Sequence, residues 1–287
     1  MTRVLVAGAG GMVGWELGQR AAGAGFECGA LNRSQLDVTD SAAVADAVRR
    51  SRPDIVINAT GYTAVDDAES DRDAAMRVNS EGAGKLARSA EEVGAGLVQI
   101  STDYVFDGAA SAPYPVDQPP HPIGAYGESK LAGEEQVREA TGRFAIVRTS
   151  WVFSHRGRNF VRTMLRLAGE GQPVRVVDDQ VGRPTGAGDL ADAILVVAAA
   201  MQKNPGMSGT WHFANAGETT WYDFAREIFR LAGRDPGAVT PVPTKDYPAA
   251  ARRPAYSVLD TTSFEETFGL RPRDWRDALR ETVEKMT

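Results

Sequence analysis

The chain has 287 residues, 43% hydrophobic and 24% charged, with 32 Lys+Arg against 38 Asp+Glu for a net charge of −6. At roughly 150 residues per domain this allows two domains, and the acidic balance argues against a general nucleic-acid binder, which needs a basic face to displace counterions. One cysteine, Cys28, and three scattered histidines, His121, His155 and His212, exclude an internal disulfide, a cysteine-rich zinc site and an HExxH hydrolase.

In chain order, residues 4–7 read as an aliphatic strand, with no secretory pattern before them. A helix over 14–24, a strand over 26–31, a helix over 41–50 capped by Asp40 or Ser41, and a strand over 54–59 follow. Then come a long helix over 74–93, a strand over 96–101, a helix over 126–140 and a strand over 143–149. Apolar runs without polar alternation predict strands buried on both faces, hence a parallel sheet between helix layers. Strand and helix in alternation give an α/β fold: a doubly wound, Rossmann-like parallel sheet over residues 1–150. Residues 151–287 are less regular and are read mainly as a second, smaller α/β substrate lobe, with some segments returning to the first domain. They hold a strand over 174–177, a helix over 188–202, a strand-like stretch over 210–215, a helix over 222–233, a Pro-rich passage over 236–254 and a helix over 275–286. The loop 107–124, with five prolines, reads as a lid or binding loop. The longest aliphatic stretch, 193–201, is short of the ~20 residues that span a bilayer. The expectation is therefore no membrane partner and a reducing, cytoplasmic setting.

Gly8-Ala9-Gly10-Gly11-Met12-Val13-Gly14 follows the first strand and opens a helix. Glycines let the backbone turn tightly and approach a pyrophosphate, and the helix start offers free N–H groups and positive partial charge. Gly8, Gly10, Gly11, Met12, Val13 and Gly14 are thus candidate dinucleotide-binding residues. The end of the second strand chooses the dinucleotide, with a carboxylate for a ribose 2′-OH and an arginine for a 2′-phosphate. It reads Leu31-Asn32-Arg33-Ser34. Asn32, Arg33, Asp37 and Val38 are assigned to the adenosine end, and Arg33 favours NADPH, with NADH as the alternative.

Ser101-Thr102-Asp103-Tyr104 ends the fourth strand, and Tyr126 and Lys130 follow at helical i, i+4 spacing. A nearby ammonium favours the phenolate and suits the tyrosine to proton transfer near neutral pH. Thr102 can hold the reacting oxygen. Thr102, Tyr126 and Lys130 are the candidate catalytic set, with Tyr126 and Lys130 also beside the cofactor.

The glycine spacing, Tyr62-Thr63-Ala64-Val65-Asp66, Ser101-Thr102-Asp103-Tyr104-Val105-Phe106, Tyr126-Gly127-Glu128-Ser129-Lys130, Arg148-Thr149-Ser150-Trp151, Asp179-Gln180-Val181-Gly182-Arg183-Pro184-Thr185 and Ala251-Arg252-Arg253-Pro254 carry a resemblance. The chain resembles the dTDP-4-dehydrorhamnose reductase family of extended short-chain dehydrogenase/reductases over nearly its whole length. The resemblance implies NADPH-dependent reduction of the C4 ketone of dTDP-6-deoxy-L-lyxo-4-hexulose to dTDP-L-rhamnose. It implies that Tyr126 protonates the developing alkoxide and that Thr102 polarises the carbonyl. It also implies that Lys130 bonds the nicotinamide ribose, and that Ala59, Thr60, Gly61 and Thr63 lie along the cofactor. By the same resemblance Asp103, Tyr104 and Trp151 line the sugar pocket beside Thr102, and Arg253 meets the substrate diphosphate.

Some members of that family dimerise through a metal held by glutamates, one of them just after Pro-Thr-Gly-Ala. Here Gly188 stands at that place, and Asp189 is turned about 100° around the helix. The expectation is no metal and a monomer or weak dimer. Trp221 and Tyr222 read as packing at a helix start, the acidic run 66–73 as a solvated helix start, His212 as structural and Cys28 as inert. The alternatives are another nucleotide-sugar enzyme of the superfamily, a related 4-ketoreductase or an epimerase, and a non-catalytic regulatory relative. A dehydratase would add an Asp-Glu pair after the threonine, where this chain has Asp103-Tyr104.

Overall fold

The computed structural model describes residues 1–286. Five strands, β1 (Thr2–Ala7), β2 (Phe26–Leu31), β3 (Ile55–Asn58), β4 (Gly96–Thr102) and β5 (Phe144–Thr149), and a late strand, Gly209–His212, form one parallel sheet. The order runs from Gly209–His212 through β5, β4, β3 and β1 to β2. The direction of winding reverses between β1 and β3, and such a switch point is where doubly wound sheets bind ligands, outside the carboxyl ends of the strands.

Successive side chains of a strand point to opposite faces, and both faces here are dry. Val4 and Val6 join Ile55, Ile57, Val98 and Val147 under the Met12–Arg20 and Ala187–Lys203 helices. Leu5 and Ala7 join Val56, Leu97 and Ile146 under Val44, Val48, Leu86 and Val137 of the opposite helix layer. That double burial is why the strands carry unbroken aliphatic runs. Of the two cap candidates, Asp40 is the one that acts, accepting from the N–H groups of Ala42 and Ala43.

The long helix expected over 74–93 is several pieces. Helix starts at Val65–Ser70, breaks at Asp71, whose carboxylate caps Arg72–Met76, passes through a π turn at Arg77–Glu81 and resumes as Gly82–Glu92. The π turn pushes the Asn79 carbonyl against Gly133, where a Cβ would approach to 2.1 Å. Asn79 also exchanges hydrogen bonds with the Tyr62 backbone and donates to Ser129 Oγ at 2.9 Å. The turn thereby ties the loop after β3 to the helix that carries Tyr126 and Lys130, the kind of place where π bulges recur.

The second core is built by residues 151–286, with Phe153, Val161, Phe224, Phe229, Trp275 and Leu279 at its centre. Two late segments leave it for the large sheet, the Gly209–His212 strand and the Ala187–Lys203 helix. The Pro-rich passage hides a strand, Val239–Val242, paired in parallel with Val174–Val177. Loop 107–124 packs as a strap rather than a lid. Tyr114 is buried, stacked on Phe106 at 4.3 Å and bridged to Leu259, while the His121 N–H donates to Val105.

Candidate active site

The glycine turn is shaped by contacts that leave no room for side chains. Gly8 has φ +94°, and a Cβ on it would lie 2.6 Å from the Ala59 carbonyl oxygen. On Gly14 a Cβ would lie 2.2 Å from the Gly8 carbonyl oxygen, so this residue seats the helix and does not border the cleft. Gly10 and Gly11 differ, since nothing in the protein comes closer than 3.5 and 3.4 Å to their missing Cβ atoms. Both face open cleft, beside the start of the Met12–Arg20 helix, which lacks a side-chain cap. This is a cradle for a phosphate approaching the backbone.

Two cavities meet at Gly10, Gly11, Ala59, Thr60 and Gly61. The outer one, about 570 Å³, adds Gly8, Asn32, Arg33, Asp37 and Val38. Arg33 is exposed and has no ion-pair partner among the described residues. Asp37 is engaged with Thr39, whose N–H and hydroxyl, with help from Arg33, hold its carboxyl below the usual range.

The central cavity, also about 570 Å³, is bordered by Met12, Val13, Thr63, Thr102, Asp103, Tyr104, Tyr126, Lys130 and Trp151. The sequence-predicted residues are thus brought together, apart from Gly14 and from Arg253, which borders a neighbouring cavity. β4 delivers Thr102 at its carboxyl end, and the Ala125–Ala140 helix presents Tyr126 and Lys130 on one face. Gly127 allows this approach, because a Cβ there would sit 2.1 Å from the Tyr104 carbonyl oxygen. Glu69 secures the helix start by accepting from the Ala125 N–H at 2.8 Å.

Lys130 is buried and donates to the Ile100 carbonyl at 2.6 Å. Burial brings its ammonium down to about 8, against the pull of Glu134 one turn on. Burial pushes the Tyr126 hydroxyl up to about 12, offset in part by a hydrogen bond with Thr102. Here the Lys130 ammonium is turned to Ile100 and is not among the groups that act on the Tyr126 hydroxyl. Tyr126 stands as a protonated acid, the form that a reduction requires. Beneath Lys130, Glu134 is locked by Arg148 at 2.7 and 2.8 Å and by the Ser101 hydroxyl at 2.6 Å. His212 closes this network as a buried structural histidine, brought down to about 4 by burial and by Arg148. Cys28 is held protonated by burial.

Asp103 borders the cavity but is only 1% exposed, and its Oδ2 is buried without a protein partner. Thr149 Oγ1, also on the cavity wall, is likewise unpartnered. Such atoms cost about 1–3 kcal/mol each unless water or a ligand meets them.

A third cavity, about 540 Å³, shares Phe160 and Trp221 with the central one and is lined further by Val174–Val177, Gln180, Thr244, Tyr247, Arg252 and Arg253. Trp221 packs on the second core at its helix start, as read, and also stacks on Trp151 with centroids 3.7 Å apart and forms part of both cavities. Trp151 itself holds φ +46°, rare for a non-glycine residue and typical of functional sites. Arg253 is held by Asp66, which accepts from the two terminal guanidinium nitrogens, Nη2 at 2.6 Å and Nη1 at 3.1 Å, and from the Ala251 N–H. Asp66 is therefore an anchor, whereas the acidic run had read as a solvated helix start. In the sequence this third cavity was marked only through Arg253 and the resemblance stretches at Gln180 and Ala251–Arg253; its other walls come from separate segments.

At Gly188 a Cβ would meet Arg20 Nη2, the movable end of a side chain, at 2.5 Å, and Asp189 is paired with Arg273. Among the described residues no group of three or more His, Cys, Asp or Glu could hold a metal, and no helix is long and apolar enough to cross a membrane.

The family model described as RmlD substrate binding domain matches residues 1–287. A dTDP-4-dehydrorhamnose reductase of Burkholderia thailandensis is 44% identical over 288 residues, covering 96% of each chain. A probable dTDP-4,6-dihydroxy-2-methyloxan-3-one 4-ketoreductase of Streptomyces antibioticus is 46% identical, covering 97% of this chain and 94% of its own. The crystal structure of a dTDP-4-dehydrorhamnose reductase from Bacillus anthracis in complex with NADP aligns with a TM-score of 0.94 at 37% identity, covering 99% of this chain and 100% of that one. With its glycine cradle, Thr-Tyr-Lys cluster and tryptophan-walled cavity, the chain belongs to the dTDP-4-dehydrorhamnose reductase family.

Proposed function

We propose that this protein reduces the C4 ketone of dTDP-6-deoxy-L-lyxo-4-hexulose with NADPH, giving dTDP-L-rhamnose. The observation that carries the reading is the succession of three neighbouring cavities that share wall residues, with Thr102, Tyr126 and Lys130 bordering the middle one. The glycine cradle fits a pyrophosphate and the free Arg33 fits a 2′-phosphate, so the outer cavity and its inner neighbour suit NADPH. When bound, that cofactor supplies hydride to the ketone carbon. Tyr126, held protonated by burial, gives its proton to the carbonyl oxygen, and Thr102 steadies the oxygens around it. Lys130 holds the Ile100 carbonyl and stands ready to bond the ribose. In the third cavity Arg252 and Arg253 oppose the substrate diphosphate, with the nucleoside against Val176, Gln180 and Tyr247.

In this reading residues 1–150, with the returning strand and helix, hold the cofactor, and 151–287 mainly hold the substrate. Action in the cytoplasm, as a monomer or weak dimer without a bridging metal, belongs to the same reading. The relative from Streptomyces antibioticus favours a second one, a 4-ketoreductase for another deoxysugar. Incubation with NADPH and enzymatically prepared dTDP-4-keto-L-sugar, followed by NMR of the product, separates them. The L-rhamno product is expected. No turnover, or a different configuration at C4, would reject the first reading.

A further inference from the structure

The Thr102 hydroxyl is fully used by three groups, and the group that receives its proton depends on Asp103. It has one proton to give and two lone pairs. The Tyr104 N–H donates to it at 3.2 Å, its oxygen lies 3.0 Å from Asp103 Oδ1, and Tyr126 shares a hydrogen bond with it. An ionised Asp103 can only accept. The Thr102 proton is then committed to the carboxylate and turned away from Tyr126. A neutral Asp103 has a proton of its own to give, and Thr102 is released.

The surroundings of Asp103 favour that release. Its side chain is buried, Oδ2 is unpartnered and, among the described residues, no cation pairs with it. The groups facing it are Thr102 and Tyr104 on its own segment, Ser257 on the C-terminal segment and Tyr126 on the catalytic helix. Arg253 is spent on Asp66 and the Tyr104 hydroxyl, and Lys130 on Ile100. Burial therefore pushes the Asp103 carboxyl up to about 6, with the Ser257 and Thr102 hydroxyls opposing. A negative Asp103 also opposes charge on the Tyr126 oxygen.

We propose that Asp103 is a positioning residue: in its neutral form it donates to Thr102 Oγ1 and so turns the Thr102 proton toward the oxygen of Tyr126 as that residue gives up its own proton. The inference rests on the ketone-reduction reading. The only bond to hydrogen that breaks is the Tyr126 O–H, and its proton goes to the substrate oxygen. Asp103 and Thr102 keep theirs and change only the direction of their hydrogen bonds.

The sign follows from the neutral form being the working one, so kcat falls as pH rises through about 6. The test measures kcat at saturating NADPH and keto-sugar from about pH 5 to pH 8 for the native enzyme, D103N, D103A and S257A, with NADPH binding followed in each. The amide of D103N donates at every pH, so its kcat should lose the alkaline fall and exceed that of D103A by about tenfold or more. Loss of the opposing Ser257 hydroxyl should move the fall to higher pH, and the Kd for NADPH should not move in any variant. A D103N profile that keeps the native fall, a D103N kcat as low as that of D103A, or an unmoved S257A profile would overturn the inference. No turnover by the native enzyme at any pH would instead overturn the reductase reading, and the inference with it.

Discussion

The two ends of the cleft meet the same demand, holding an anionic nucleotide, with different materials. At the glycine end the protein offers backbone: a turn that excludes Cβ atoms, two glycines open to the cleft and an uncapped helix start. At the tryptophan end it offers long side chains, Phe160, Trp221, Tyr247, Arg252 and Arg253, brought from distant segments. A backbone site needs fixed spacing and contiguous residues. A side-chain site needs only that packing deliver the groups, so its residues scatter. The middle cavity joins the two, and variants at each end should fail in different ways.

The largest effect is expected in the middle. Tyr126→Phe removes the proton that the reduction needs and leaves the ring that packs edge-on against Tyr104 at 5.5 Å. Turnover should fall about 10²–10⁴-fold, the usual worth of a positioned acid, while NADPH binding by fluorescence stays near normal. A rate close to native would remove Tyr126 as the donor, and loss of NADPH binding would move its role to the glycine end.

The tryptophan end should respond to a single methyl group. Gly182 lies beneath the Trp151 indole, and a Cβ there would come within 2.5 Å of Cε2. Trp151 holds its left-handed backbone between that glycine and the Trp221 ring. Gly182→Ala must displace the indole, and a shift of about 1 Å near a reacting centre can cost ~10²-fold. The loss should appear in kcat/KM for the nucleotide sugar, with the Kd for NADPH unchanged. Equal loss at both substrates would mean that the change spreads through the fold and that the two ends are not separable.

The same contrast explains what could be read before the structure. The sheet was legible because its strands, dry on both faces, carry unbroken runs such as Val4 to Ala7, and the cofactor turn because its glycines are contiguous. Tyr126 and Lys130 were legible through i, i+4 spacing. The split of the helix after residue 65 was not, because its cause is tertiary: the π turn exists where Asn79 meets Gly133 and Tyr62. Nor was Asp66, whose partner lies 187 residues away. Trp221 packs at its helix start as read, but its share in two cavity walls was not legible, because it depends on Trp151 stacking from a distant segment. Asp103, placed in the sugar pocket by resemblance, borders the central cavity, and its contact with Thr102 was not legible beforehand.

The smallest effect is expected at the outer tip of the glycine end. Arg33 is exposed and, among the described residues, has no ion pair and only a weak pull on Asp37, so it gives up little to meet a phosphate, and solvent weakens what it gains. A charge-assisted hydrogen bond at such a site is worth about 1.4 kcal/mol, or tenfold. Arg33→Ala should lower the NADPH-over-NADH ratio of kcat/KM by about tenfold, through KM for NADPH alone, and the loss should shrink as salt rises. Asn32 and Asp37 would remain to hold the ribose, since both are fixed by local turns with Ser34, Gln35 and Thr39. NADH kinetics should therefore hardly change. An unchanged ratio would take Arg33 out of cofactor choice. It would leave the glycine end a binder of the pyrophosphate alone, with the discrimination between the two dinucleotides residing elsewhere along the outer cavity.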